Sequence, residues 1–140
     1  MRLSRDGSHP QVFHKLCDDK GATLTFVKAN EGHIFGGFNP TSWVSQFIYA
    51  ECEDAFLFSI SDGRGRKPAK CPVKKDKADK AIKQNEMNYS PGFGEANISD
   101  LFIAFKNLRN SYSVLGNTYK LPKGFNGDTF LAGKHSEWDI

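Results

Sequence analysis

The side chains best suited to nucleophilic, redox or metal chemistry in this 140-residue chain are Cys17, Cys52, Cys71, His9, His14, His33 and His135. A catalytic triad needs a Ser or Cys within reach of a His that a third group orients. No GxSxG or HExxH spacing surrounds any of these residues, so such a site would have to come from chance proximity in the fold. His14 and Cys17 stand three apart, one helical turn, and could ligate a metal or activate a thiolate. Two further ligands at diagnostic spacing are missing, so a packed helix face is the simpler reading, and no metal is assigned. His33 reads as a surface or half-buried strand residue. Cys52 lies between Glu51 and Glu53, whose charges should make its thiolate scarcer. Cys71, with Lys70, Lys74 and Lys75 around it, is the redox candidate because those cations should lower its pKa. The adjacent carboxylates Asp18-Asp19 and Glu53-Asp54 point apart on a helix or strand and make no acid/base pair. These residues form no recognisable catalytic constellation and call for no cofactor, so the chain reads as closer to a non-enzyme than to an enzyme.

Charge is the second candidate feature. The net charge is +3, but nine bases and two acids between Arg64 and Lys83 give that segment +7 and leave −4 on the rest. Arg64, Arg66, Lys67, Lys70, Lys74 and Lys75 are the candidates for contact with an anionic surface. No aromatic side chain lies between Arg64 and Lys83, so base stacking is missing and nucleic acid is not expected as a partner. The plainer reading is a solvated face and an edge strand kept soluble by lysine.

These residues must be positioned by some scaffold, and glycine and proline mark its turns. Thirteen glycines and six prolines favour a strand-rich fold over a helical bundle. Ser8-His9-Pro10-Gln11 reads as a helix start, with Val12, Phe13, Leu16 and Cys17 on one face and a stop near Gly21. Gly21–Lys28 and His33–Phe38, joined by Asn30-Glu31-Gly32, read as a β-hairpin whose second strand carries Gly36 and Gly37. Adjacent glycines in a strand indicate close approach by another group. Asn39-Pro40 should start a short helical turn carrying Trp43. Phe47-Ile48-Tyr49 is an ambiguous apolar cluster. Ala55–Ile60 reads as a central strand buried on both faces, ended by a turn at Asp62-Gly63-Arg64-Gly65. Weaker strands fall at Ala69–Lys74 and Lys80–Gln84, and Ser90–Gly94 reads as a rigid loop. Further strands are expected at Asp100–Phe105 and Asp128–Gly133, and another should begin at Trp138-Asp139-Ile140. Phe26, Phe35, Phe56, Phe58, Phe102, Phe105 and Phe130 are core candidates. The fold class predicted is α+β, mainly β: an antiparallel two-sheet β-sandwich with short flanking helices. No apolar run reaches the roughly 18 residues of a membrane helix. An odd number of cysteines without CxxC spacing points to a reducing compartment, and the Asn88 and Asn97 glycosylation patterns carry no weight there.

Taken together, these blocks resemble the TLDc domain family across nearly the whole chain. The hairpin matches its "TLT-x-x-K … G-x-x-FGG" opening, and Asp54–Ser59 matches the "FLFS" strand. Ser111–Tyr119 matches "SYS-x-LG-x-x-Y", and Phe130-Leu131-Ala132-Gly133 matches "FLAG". Gly36, Gly37, Gly116 and Gly133 are structural members of these motifs. The glycine-rich loop of members is reduced here to Gly94-Glu95-Ala96-Asn97. The resemblance implies one domain over residues 1–140, trimmed before a closing strand of the "IEVW" kind that members add, together with its glutamate. It further implies a cytoplasmic, monomeric interaction module, peripheral to endolysosomal or vacuolar membranes. Such a module would bind or regulate the vacuolar proton ATPase, with links to oxidation resistance and membrane traffic. A redox-protective enzyme or thiol-based antioxidant domain, and an anionic-surface binder through residues 64–83, are the alternatives.

Overall fold

Alternation of apolar and polar residues dictates two layers, and the computed structural model has them. It describes residues 1–85, 87–90, 92–95 and 97–137. Two short helices, α1 (Leu3–Asp6) and α2 (Pro10–Cys17), precede eight strands: β1 (Thr23–Lys28), β2 (His33–Asn39), β3 (Tyr49–Ala50), β4 (Phe56–Asp62), β5 (Ala69–Pro72), β6 (Ile82–Lys83), β7 (Gly92–Phe93) and β8 (Leu101–Phe102). They form two four-stranded antiparallel sheets, ordered β1-β2-β4-β5 and β3-β6-β7-β8. The predicted sandwich with short flanking helices is what the chain adopts.

The core lies between the sheets. Phe35, Leu57 and Cys71 from the first sheet meet Ile82, Phe93 and Leu101 from the second, with Trp43 and Tyr119 filling the gap. Trp43 is buried among Phe13 and Phe93, edge to face with both, and its indole N–H donates to Thr23 Oγ1 at 2.9 Å. Aromatic pairs of this geometry add to their area burial.

Several local expectations change. Helix α2 is capped by the His9 ring, not by Ser8, and it ends at Cys17. Its buried residues are Pro10, Phe13 and His14, spaced as one helical stripe, whereas Leu16 is exposed. The segment after Asn39 is no helix: the Asn39 side-chain oxygen accepts from the Thr41 amide, closing a turn in which the backbone of Trp43 bridges to Asp18. The expected strand over residues 128–133 is instead a run of turns, with the Gly133 amide bonded to the Thr129 carbonyl. A 3-10 helix, Lys75–Lys80, occupies the start of the strand expected at Lys80, and Gly92–Phe93 is a strand and not a loop. Phe26 is 61% exposed rather than in the core. It follows the period of two, which turns it away from Thr25 and Val27. The expectations at Pro91, Ala96 and Trp138-Asp139-Ile140 lie outside the described residues.

Candidate functional site

The thiols are placed where reactivity is suppressed. Cys71 is wholly buried, and burial pushes its thiol up to about 11 against a small opposing pull from Arg66. The expected lysine effect is reversed because alternation separates the groups. Cys71 pairs with Leu57 on the inner face, while Lys70 pairs with Phe58 on the outer face and sits 4.2 Å above the Phe56 ring. Cys52 is also raised, first by burial and then by Glu51 and Asp54, with a counteracting hydrogen bond to Thr41. Cys17 is raised chiefly by burial. His14 is buried, its Nδ1 2.9 Å from Asp18 Oδ1 and its Nε2 3.2 Å from the Tyr89 carbonyl, so both ring nitrogens are committed away from Cys17. His33, expected near the surface, is buried with Nδ1 3.0 Å from the Leu131 carbonyl. Among the described residues no cluster of three His, Cys, Asp or Glu side chains is spaced to hold a metal.

The basic segment is partly turned inward. The Arg66 guanidinium donates to Ser59 Oγ at 2.7 Å and to the Phe130 carbonyl at 2.8 Å, and lies 4.1 Å above the Phe130 ring. Lys74 Nζ donates to the Gly116 carbonyl at 2.6 Å. Arg64 faces Glu31 across an exposed 3.5 Å pair, and Lys77 faces Glu95 at 3.5 Å. Lys67 and Lys75 are exposed. Two of the six candidates therefore hold the sandwich to its loops, which net charge alone does not reveal.

The motif glycines sit at contacts. A Cβ on Gly37 would lie 2.6 Å from Phe93 Cζ and 2.9 Å from Leu57 Cδ2, and one on Gly36 would overlap the Thr25 carbonyl oxygen. Gly133, at φ +75°, passes against the His33 ring, and Gly116 has φ +120°. Asp100 is a structural centre that the sequence marks only as the start of an expected strand. Its buried carboxylate accepts from the backbone amides of Gly116 (2.9 Å), Asn117 (3.1 Å), Thr118 (2.8 Å) and Tyr119 (3.1 Å). Burial pushes this carboxyl above its usual range, while the amides pull the other way.

The first sheet leaves one side open. Its register puts Leu24, Phe26, Phe38, Phe56 and Phe58 together on the outer face, where Phe26 meets Phe58 edge to face and Phe38 stacks on Phe56. The edge of β5 is extended by residues 118–120 through bonds between Lys74 and Thr118 and between Lys120 and Pro72. Phe102 of β8 exchanges two bonds with Tyr112. Strand β1, six residues long and free of proline, pairs only with β2 among the described residues. Beside it lies a groove of about 740 Å³ lined by Thr23–Lys28, by Phe13, Trp43, Ile103 and Phe105, and by the first residues of the chain. Among the described residues its lining contains Arg2 and Lys28 and no carboxylate. The sequence signal was present in Thr23-Leu24-Thr25-Phe26-Val27-Lys28, which has apolar residues of both parities, more than a strand with one solvated face needs.

Comparison with known proteins agrees with this architecture. The TLDc domain family model matches residues 2–137. The "MTOR-associated protein MEAK7" of Xenopus laevis is 39% identical over 56 residues, covering 38% of this chain and 12% of the relative. Its counterpart from Danio rerio is 36% identical over 55 residues, covering 37% and 12%. The matches thus span about an eighth of these curated relatives.

Proposed function

The chain belongs to the TLDc domain family, and on that premise we propose that it is a protein-interaction module that docks on the vacuolar proton ATPase and regulates it. The match over residues 2–137 carries this reading. The structure is compatible with it: a sandwich presents rigid faces and edges for binding without requiring a reactive constellation. Oxidation resistance and a role in membrane traffic would then be consequences of controlling proton pumping. We place the module in the cytoplasm, peripheral to endolysosomal or vacuolar membranes, and as a monomer. No helix among the described residues is long and apolar enough to cross a membrane. The relatives carry mTOR association in their name, which makes an mTOR complex the second partner to test.

The alternatives have less behind them. A thiol antioxidant needs an accessible thiolate, and Cys71 is buried with its pKa raised to about 11. An anionic-surface binder needs clustered free cations, and Arg66 and Lys74 are spent on internal carbonyls.

The test is a quantitative pulldown of proton ATPase subunits from cytosol by the folded chain. Saturable recovery of the catalytic head or peripheral stalk supports the reading. Clean absence, with the chain shown to be folded by circular dichroism, defeats it.

A further inference from the structure

One buried histidine is held between two acceptors. His14 lies on the buried stripe of helix α2 and is 1% exposed. Its Nδ1 stands 2.9 Å from Asp18 Oδ1 and 3.1 Å from Asp18 Oδ2, and its Nε2 stands 3.2 Å from the Tyr89 carbonyl oxygen. A carbonyl oxygen can only accept. The Asp18 carboxylate serves as an acceptor as well, since its Oδ2 takes the Ser45 hydroxyl at 2.6 Å. A neutral imidazole carries one N–H and satisfies one of these partners, whereas an imidazolium carries two and satisfies both. In the neutral ring the proton stays with Asp18, because a hydrogen bond to a carboxylate is the stronger of the two. Nε2 and the Tyr89 carbonyl then turn lone pairs towards each other in a site closed to water, which is costly.

The loop 87–90 depends on this contact. Its second tie to the same helix, from Gln11 Nε2 to Asn88 Oδ1 at 2.8 Å, is exposed to competing water. Met87 is 50% exposed and Tyr89 59%, so apolar burial holds them weakly. Ser90 is fixed independently, its hydroxyl accepting from the Phe105 amide at 2.9 Å. Among the described residues, Asp18 is the charged group that faces the ring. The turn at residues 42–45 contributes the neutral Ser45 hydroxyl, the loop contributes the Tyr89 carbonyl, and the Phe13 ring packs edge-on at 5.3 Å. Lys15 and Asp19 are exposed, and burial pushes the Cys17 thiol up.

From this we infer that His14 is a proton-operated latch: the doubly protonated ring pins the loop 87–90 to helix α2, and loss of the Nε2 proton releases Asn88 and Tyr89. Histidine is the side-chain type whose charge ordinarily changes between about pH 5 and 8. The contact is present while the ring holds both protons and is lost as pH rises through the ring's titration. Met87 and Tyr89 face solvent, so release changes the surface that the chain presents. The device belongs to the chain itself and needs no partner.

The test is an NMR titration of the isotope-labelled chain. Ring nitrogen shifts report the protons on His14, and the Asn88 and Tyr89 signals report the loop. In parallel, chymotrypsin cleavage after Tyr89 is measured relative to cleavage after Phe125, which is 47% exposed in a turn elsewhere. The expected result is a ring protonated at both nitrogens at low pH, with the loop signals moving at the ring's own midpoint. Relative cleavage after Tyr89 should rise by about tenfold or more across that midpoint. His14→Gln keeps an amide donor and has no proton to lose, so in a folded chain it should remove the pH dependence of both loop readouts. Asp18→Asn removes the carboxylate that holds the second proton, so the loop should release at lower pH than in the parent. That variant decides the matter if His14→Gln fails to fold.

The proposal is overturned if the ring does not titrate while the chain is folded, or if the loop signals and cleavage do not follow its titration. It is also overturned if folded His14→Gln keeps the parent's pH dependence, or if Asp18→Asn leaves the midpoint of release unchanged. Loop release that coincides with global unfolding, read by circular dichroism, overturns it as well.

Discussion

Replacing Arg66 with alanine tests whether the basic segment faces inward or outward. The guanidinium bonds Ser59 Oγ and the Phe130 carbonyl and covers the Phe130 ring, and Ser59 and Phe130 are each 1% exposed. A hydrogen bond to a charged donor contributes roughly 1.5–3 kcal/mol, and a buried acceptor left unpaired costs about 1–3 kcal/mol. The ring contact adds about 0.5–1 kcal/mol at a half-exposed site. Counting each bond once and adding the ring contact, Arg66→Ala should cost about 3.5–7 kcal/mol, a large part of the roughly 5–15 kcal/mol that holds a domain together. At about 3 °C per kcal/mol for a chain of this size, the melting temperature should fall by about 10–20 °C. Arg66→Lys keeps the charge and loses the planar fork, so it should recover less than half of the loss. The assay is urea and thermal unfolding followed by circular dichroism, with both variants and the parent at low and high salt. A cost for Arg66→Ala below about 0.5 kcal/mol, the range of an ordinary surface substitution, would refute the reasoning. So would full rescue by lysine, because charge alone would then be what matters.

Two further outcomes follow from buried groups. Cys71 titrates near 11 when folded, against about 8.5–9 when unfolded, so its neutral form is favoured by the fold. That contribution, roughly 3 kcal/mol, is fully present below about pH 9 and is lost as pH rises towards 11. Cys71→Ala should flatten the alkaline part of the stability curve, and in the parent chain iodoacetamide should modify half-buried Cys17 well before Cys71. An unchanged alkaline slope, or prompt native-state alkylation of Cys71, would contradict this. At Asp100, alanine orphans the four amides of residues 116–119 and should cost at least about 4 kcal/mol, whereas Asn keeps one accepting oxygen and should cost clearly less. Equal unfolding midpoints for the two variants would overturn the cradle as the source of that stability.

How much of this was legible follows from the range of the forces involved. The hairpin, the β4 strand and the Gly36–Gly37 contact were readable because turn chemistry and period-two alternation act over a few residues. The strand expected at residues 128–133 fails for a non-local reason. Its carbonyls at Phe130 and Leu131 are claimed by Arg66 and His33, 64 and 98 residues away in sequence. Trp43 falls outside the expected helical turn although Asn39-Pro40 is a sound start signal, because the Asn39 side chain closes a tighter turn and the indole is drawn into the core by Thr23 and Phe13. The low pKa expected for Cys71 came from counting neighbours along the chain. In a strand the nearest neighbours in sequence are on the opposite face, so Lys70 was the wrong cation to count.

The same distinction decides where recognition is sited. A segment of +7 invites an electrostatic account, but a charge can steer a partner only while it faces solvent. Arg66 and Lys74 face carbonyls, Lys70 faces Phe56, and Arg64 and Lys77 face acids. What the six candidates still present to solvent is Arg64, Lys67, Lys70 and Lys75, and their field falls off within about 8 Å at physiological salt. Contact on the outer face of the first sheet, where Leu24 and Phe26 are exposed, has different physics. It rests on apolar burial, which does not fade with salt as an exposed ion pair does, so binding there should persist at ionic strengths that erase surface ion pairs.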